Sequence, residues 1–308
     1  MQQYESLLSH CRLCPRACGA NRLLGQTGVC GASKDAIVAR AALHRWEEPC
    51  ISGTHGSGAV FFSGCPLRCV YCQNEEISHH ISGRRLSVSQ LGNVFFSLQR
   101  QGAHNLNLVT ATPYAPHVLA ALEHAKAGGF CLPVVYNTSG YENAFALELL
   151  RGHVNVYLAD FKYLSPQLAK RYSCAVDYPG VAQAALDEMV RQTGPCRYDQ
   201  DGLLVKGTIV RHLMLPGCPD DTRQVLRYLH DRYGDEIAIS LMCQYTPTQN
   251  AAKAHSPLGG RITKQAYARM MDYALSLGIQ HGYFQELDSA SNAYLPAFDG
   301  TGLPQDGE

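Results

Sequence analysis

From about residue 58 the chain alternates between two hydrophobic patterns. Short apolar and β-branched runs occur at AVFFS (59–63), LNLVTA (106–111), LPVVYN (132–137), VNVYLADF (154–161), LVKGTIVR (204–211) and IAISLMC (237–243). HGYFQEL (281–287) is a seventh candidate. Several of these runs are almost unbroken. That suits parallel strands buried on both faces, because a strand with one wet face alternates with period two. The segments between them have helical periodicity and legible ends. In 87–101, Ser87 and Gln90 stand at capping-box spacing and Gly102 follows. Segment 116–127 opens on a proline and stops at Gly128-Gly129, and 141–151 stops at Gly152. Asp220-Asp221-Thr222 can cap a helix running to Tyr233, and Thr263 to Leu277 ends at Gly278.

Six strand–helix repeats imply right-handed crossovers and a parallel sheet, so the fold class is α/β. The pattern alone leaves open a doubly wound layer and a full or partial barrel. In each of these a site belongs at the carboxyl ends of the strands. Residues 1–50 show little periodicity, and from about 291 the sequence SNAYLPAFDGTGLPQDGE is rich in Gly, Pro and polar residues. The expected organisation is a Cys-rich N-terminal metal-binding extension (1–50), a barrel (51–290) and an irregular tail (291–308).

Composition narrows the function classes. The 308 residues are 46% apolar and only 17% charged, against about 25% charged in typical domains. That favours a chain that turns much of its surface inward. Lys+Arg and Asp+Glu are both 26, so no basic excess asks for a nucleic-acid partner. MQQYESLLSHC is not a basic region followed by an apolar run, and no stretch approaches the ~20 apolar residues of a membrane span. A soluble, cytoplasmic protein is expected.

The 13 cysteines change the picture, because eight of them precede residue 73. In a cytosolic chain such clustering reads as metal ligation or redox chemistry rather than disulfides. FFSGCPLRCVYCQN (61–74) places Cys65-x3-Cys69-x2-Cys72 directly after the first strand run. Three thiolates bind three irons of a cubane cluster and leave the fourth iron free for substrate or cofactor. The bland alternative is zinc, with His79 or His80 closing a four-ligand shell.

This spacing, with aromatic Tyr71 just before the third cysteine, resembles the signature of the radical S-adenosylmethionine superfamily. The phrases WEEPCISGTHGSGAVFFSGCPLRCVYCQN (46–74), NLNLVTAT (105–112), VYLADFKY (156–163) and TIVRHLMLPG (208–217) resemble proteins related to pyruvate formate-lyase-activating enzyme. The resemblance implies a (β/α)6 partial TIM-type barrel. It also implies a 4Fe–4S cluster on Cys65, Cys69 and Cys72, and S-adenosylmethionine bound at the open iron. One electron, from a reductant such as flavodoxin or ferredoxin, then cleaves the cofactor to methionine and a 5′-deoxyadenosyl radical that abstracts hydrogen. The activating-enzyme likeness points to a glycine of a partner protein as the target. A small molecule, a nucleotide or RNA is the second reading, and a zinc-binding interaction protein the third.

The family commonly ends its second strand in a Gly-Gly-Glu-like stretch on the cofactor's amino group. Here Val109-Thr110-Ala111-Thr112-Pro113 stands in its place, and the hydroxyls of Thr110 and Thr112 can substitute. Other candidate cofactor contacts lie at strand ends: Asn137 and Thr138, Asp160 and Lys162 in an Asp-x-Lys pattern of activating enzymes, Arg211 and His212, and Gln244 and Tyr245. An arginine there can pair with a carboxylate.

A second cysteine group, Cys11-x2-Cys14-x3-Cys18-x11-Cys30, has four thiols among Pro15, Gly19, Gly25 and Gly28. Such a set completes a zinc shell or holds a further iron–sulfur cluster. Arg12, Arg16 and Arg22 would offset its charge. Cys50, Cys131, Cys174, Cys196, Cys218 and Cys243 are isolated and mostly expected in the core.

Overall fold

The computed structural model describes residues 4–254, 257–279, 281–285 and 296–305. Strands β1 (Ala36–His44), β2 (Ser57–Phe62), β3 (Arg84–Leu86), β4 (Leu106–Val109), β5 (Val134–Thr138), β6 (Val156–Asp160), β7 (Arg197–Tyr198), β8 (Leu204–Leu213), β9 (Ala238–Met242) and β10 (Gly282–Phe284) form one sheet. Its order is β10-β9-β8-β6-β5-β4-β2-β1-β3, with β7 paired on β8. The run from β2 through β4, β5, β6, β8 and β9 to β10 is parallel throughout. Helices cross over between consecutive strands, and the architecture is that of a partial TIM-type barrel. All seven expected strand runs contain a strand. The last, 281–287, extends beyond the described residues.

The unbroken apolar runs are buried on both faces. Every residue of β2, β4, β5 and β9 is buried. The Ser87 capping box is present, with Ser87 Oγ accepting from Gln90 N–H and the Gln90 side chain accepting from Ser87 N–H. Thr263 caps its helix through its hydroxyl alone, which accepts from Ala266 N–H. Asp220-Asp221-Thr222 does not cap the helix Pro219–Tyr233. That helix starts one residue earlier, on Pro219, without a side-chain cap. Asp221 instead accepts the backbone N–H groups of Leu164 and Ser165 and pins the loop after β6.

Four of the elements that escape the periodicity argument shape the sheet and its crossovers. Helices Pro166–Ser173 and Tyr178–Thr193 fill the long crossover from β6 to β8. The buried side of the second runs through Tyr178, Ala182, Ala185, Leu186, Met189, Val190 and Thr193, a helical spacing that the sequence reading passed over. β1 and β3 form an antiparallel edge, β1 on β2 and β3 on β1. Residues 36–44 are therefore in the same sheet as the barrel strands. The tail runs along that edge, where Ala41 N–H donates to Thr301 O and Gly300 N–H to Ala39 O.

Candidate active site

The three cysteines of the 65–72 loop sit above the carboxyl end of β2. Gly64 makes the turn into the loop at φ +90, and a Cβ there would lie 2.4 Å from the Cys30 carbonyl oxygen. Only glycine tolerates both conditions. The Arg68 guanidinium ties the loop down by donating to His79 O and Val29 O, at 2.9 and 2.8 Å. Burial pushes the Cys65 thiol well up, and Cys69 and Cys72 push it further. Burial also raises Cys69, to about 11, against the pull of nearby Lys162. The backbone N–H groups of Leu67 and Asn74 pull the Cys65 and Cys72 thiols back down in part. Ser173 Oγ lies 3.0 Å from Cys69 Sγ and Ser78 Oγ lies 3.2 Å from Cys72 Sγ.

The thiols open into a cavity of about 430 Å³. Asp160, Lys162, Arg211, Asn137, Thr138, Thr110 and Gln244 line it, all at carboxyl ends of strands as expected. Charged groups interlock there. Lys162 Nζ donates to Asp160 Oδ2 at 2.7 Å, and Arg211 Nε donates to Asp160 Oδ1 at 3.0 Å. Arg211 also donates through Nη2 to Asn137 Oδ1, at 2.6 Å, and through Nη1 to Glu47 Oε2, at 3.2 Å. Asn107 and Asn137 both donate to Glu47 Oε1, at 3.1 and 3.2 Å. Burial opposes charge on Asp160, but Lys162 and Arg211 outweigh it and hold the carboxyl below its usual range. Burial likewise opposes the charge of Lys162, and the Asp160 carboxylate more than restores it. Glu47 has Arg211 as its cation, and there burial wins and raises it.

Several candidates fall elsewhere. Tyr71 is buried behind the loop with its hydroxyl 2.5 Å from that of Tyr163, and it does not line the cavity. Thr112 is turned away and donates to the buried Glu142. His212 is a core residue, held by Phe161 O and the Thr222 hydroxyl. Tyr245 donates to Leu258 O. His79 pairs with Glu75 at 3.7 Å, and neither it nor His80 reaches the cavity. Among the isolated cysteines, Cys50 and Cys243 are buried, whereas Cys131 and Cys174 are exposed rather than in the core.

The sequence reading missed His44, Trp46 and Glu47, which reach the cavity from the end of β1 and the connection after it. Glu47-Glu48 before Pro49 was the available signal. Two adjacent carboxylates in an apolar neighbourhood ask for a buried cation, and Arg211 is that cation. It also missed Glu142. This carboxyl accepts from both Thr112 and Thr138, and its Oε2 lacks a partner among the described residues. Burial raises it to about 7.

Residues 59–195 match the family model of the radical SAM superfamily. This chain carries a radical SAM domain. Its cofactors are a 4Fe–4S cluster and S-adenosylmethionine. An uncharacterized protein of Methanocaldococcus jannaschii is 25% identical over 279 residues, covering 88% of this chain and 75% of the relative. The FeFe-hydrogenase maturase HydG of Carboxydothermus hydrogenoformans superposes with a TM-score of 0.51 at 13% identity, over 71% of this chain and 50% of HydG. That likeness shows the fold. Streptococcus suis SuiB bound to S-adenosylmethionine gives a TM-score of 0.49 at 10% identity, over 74% of this chain and 50% of SuiB. The chain thus spans about half the length of these two solved structures.

The donor set of the radical SAM domain fits its cluster. Three thiols face one cavity from one short loop, each within electrostatic reach of another. Backbone N–H groups and serine hydroxyls are already placed at their sulfurs. Such contacts stabilise thiolate charge and tune a cluster's potential. The cavity beyond offers two cations, Lys162 and Arg211, and two carboxylates, Asp160 and Glu47, for a ligand with both charges. Among the described residues, no helix is long and apolar enough to cross a membrane.

Proposed function

We propose that this chain is a radical S-adenosylmethionine enzyme that activates a partner protein by abstracting hydrogen from one of its glycines. When bound, the cluster supplies the electron that cleaves S-adenosylmethionine reductively. Cys65, Cys69 and Cys72 hold it. Arg211 and Lys162 meet the carboxylate of the cofactor's methionine end, and Asp160 and Glu47 keep those cations fixed. Thr110, at the cavity wall, offers its hydroxyl in place of a Gly-Gly-Glu-like stretch. The apolar walls, Phe61, Leu67 and Val109, keep water from the reacting end.

The observation that carries the glycine reading is the Asp160-x-Lys162 pair. It is the pattern of activating enzymes, and both residues face the same cavity as the three thiols. Trp46, 63% exposed at the rim, offers a flat apolar face on which a peptide loop can rest. The reductant is an external one-electron carrier of the flavodoxin or ferredoxin kind.

The test is anaerobic. The reconstituted, reduced chain is mixed with S-adenosylmethionine and a glycyl-radical enzyme of the pyruvate formate-lyase type. A glycyl signal by electron paramagnetic resonance, matched by 5′-deoxyadenosine, is expected. 5′-Deoxyadenosine without a glycyl signal overturns the partner assignment and leaves the small-molecule reading. No 5′-deoxyadenosine from a chain with intact cluster overturns the radical assignment itself.

A further inference from the structure

The structure brings the second cysteine group together. Cys11 N–H donates to Ala20 O, Gly19 N–H to Cys11 O and Ala17 N–H to Cys14 O, which folds 11–20 into a closed loop. The Cys18 sulfur packs against Gly28, where a Cβ would stand only 2.5 Å from it. Gly28 is two residues from Cys30. On its other side the Cys18 sulfur lies 3.9 Å from Cys11 O. All four are free thiols.

A further observation points to a ligand. Arg22 is 1% exposed. Its Nε donates to Ser33 O at 2.8 Å and its Nη1 to Pro113 O at 2.6 Å, while Nη2 has no partner among the described residues. A buried guanidinium with an unused N–H is costly beside neutral thiols. Its charge acts on Cys30, and an anionic sulfur shell answers it.

We propose that Cys11, Cys14, Cys18 and Cys30 form the all-sulfur shell of a second metal centre. The shell takes a thiophilic metal, as a single zinc ion or as an iron–sulfur cluster, because four soft ligands and no oxygen select those. Among the described residues no three ligand-type side chains are drawn in around a single ion, so binding tightens the segment. The centre adjoins the radical site: the Cys30 carbonyl lies against Gly64, the neighbour of Cys65, and Arg16 donates to Pro66 O at 2.9 Å. The proposal does not depend on what the barrel cavity acts upon.

The experiment uses the full chain with Cys65→Ala, Cys69→Ala and Cys72→Ala, so that the radical site cannot hold metal. It is loaded anaerobically in three arms: Zn2+, Co2+, or ferrous iron with sulfide. Retention of about one Zn2+ or Co2+ per chain, with sulfur-to-cobalt charge-transfer bands, identifies a zinc-type shell. Retention of about four irons per chain identifies a cluster. Adding Cys14→Ser and Cys30→Ser is expected to remove the metal in either case. A readout without substitution accompanies it: bound metal slows iodoacetamide alkylation of Cys11, Cys14, Cys18 and Cys30 in the unmodified chain at least tenfold. A folded triple variant that retains no stoichiometric metal in any arm overturns the proposal. So does equal alkylation of the four cysteines with and without metal.

Discussion

The Ser173 hydroxyl oxygen lies 3.0 Å from the Cys69 sulfur. It sits 2.9 Å from the Tyr163 hydroxyl, which in turn is 2.5 Å from that of Tyr71. An iron-bound thiolate can only accept, so cluster binding fixes the direction of this chain. Ser173 donates to Cys69, Tyr163 to Ser173 and Tyr71 to Tyr163. Aligned donors strengthen one another in a buried setting, and hydrogen bonds to sulfur favour the more negative, reduced cluster. Ser173→Ala is therefore expected to lower the cluster's reduction potential. A tenfold loss of reduced cluster at fixed ambient potential corresponds to about 59 mV for one electron. A redox titration followed by electron paramagnetic resonance reads it, and an unchanged potential removes the tuning role.

Loss of Cys69 itself acts differently. Cys69→Ala deletes one of three ligands, so cluster iron and 5′-deoxyadenosine formation are expected to fall together. Iron analysis and product chromatography on the same reconstituted sample check both.

Arg211 is the cation that Glu47 and Asp160 share. Arg211→Met leaves two buried carboxylates with Lys162 alone, and breaking such a pairing costs about 3–5 kcal/mol. Urea unfolding at pH 7 should show the unfolding free energy falling by that amount. Arg211→Lys is expected to rescue only part of it, because a single ammonium cannot reach Asp160, Asn137 and Glu47 at once.

Glu142 makes stability depend on pH. Burial raises its carboxyl from the ordinary 4.5 to about 7. Its folded-state value lies above the unfolded one, so its stabilisation is complete below about 4.5 and is lost as pH rises through about 7. Glu142→Gln keeps the neutral form at every pH. The variant should match the parent near pH 4 and exceed it at pH 8, by up to about 3 kcal/mol at 1.36 kcal/mol per pH unit. Parallel denaturation curves across that range test it, and an unchanged slope sinks it.

Thr110 directly follows β4 in the left-handed region, at φ +59. A β-branched residue there is strained by about 1–3 kcal/mol. Thr110→Gly is expected to raise stability by about 1 kcal/mol in thermal or urea unfolding. The strain is stored at the cavity wall, which Thr110 lines. The same variant should bind S-adenosylmethionine more weakly if that hydroxyl is a contact.

Much was legible because it is local. The Cys65-x3-Cys69-x2-Cys72 spacing makes a chelate within eight residues, whatever packs around it. The unbroken runs of β4, β5 and β6 declared a parallel sheet, and with it the end of the sheet where Asn137, Asp160 and Arg211 would meet. The helix Tyr178–Thr193 is local too, with Tyr178, Ala182, Ala185, Leu186, Met189 and Val190 buried at helical spacing, but the sequence reading passed over it.

The sequence by itself thus determined the strand–helix alternation, the three-thiol loop and the four upstream thiols as a group. Tertiary structure decided which side chains surround them. Glu47 is 164 residues from Arg211, and no periodicity predicts that pairing. β1 had to return antiparallel along β2 before the following connection could place Glu47 in the cavity. Tyr71 stands beside the cysteines in sequence yet faces Tyr163, because the loop's turn sends its ring into the core. Ser173 reaches Cys69 only because the 166–173 helix packs under the loop. Chelation and periodicity are short-range and survive in a string of letters. The pairing of buried charges and hydroxyls depends on distances that only the folded chain sets.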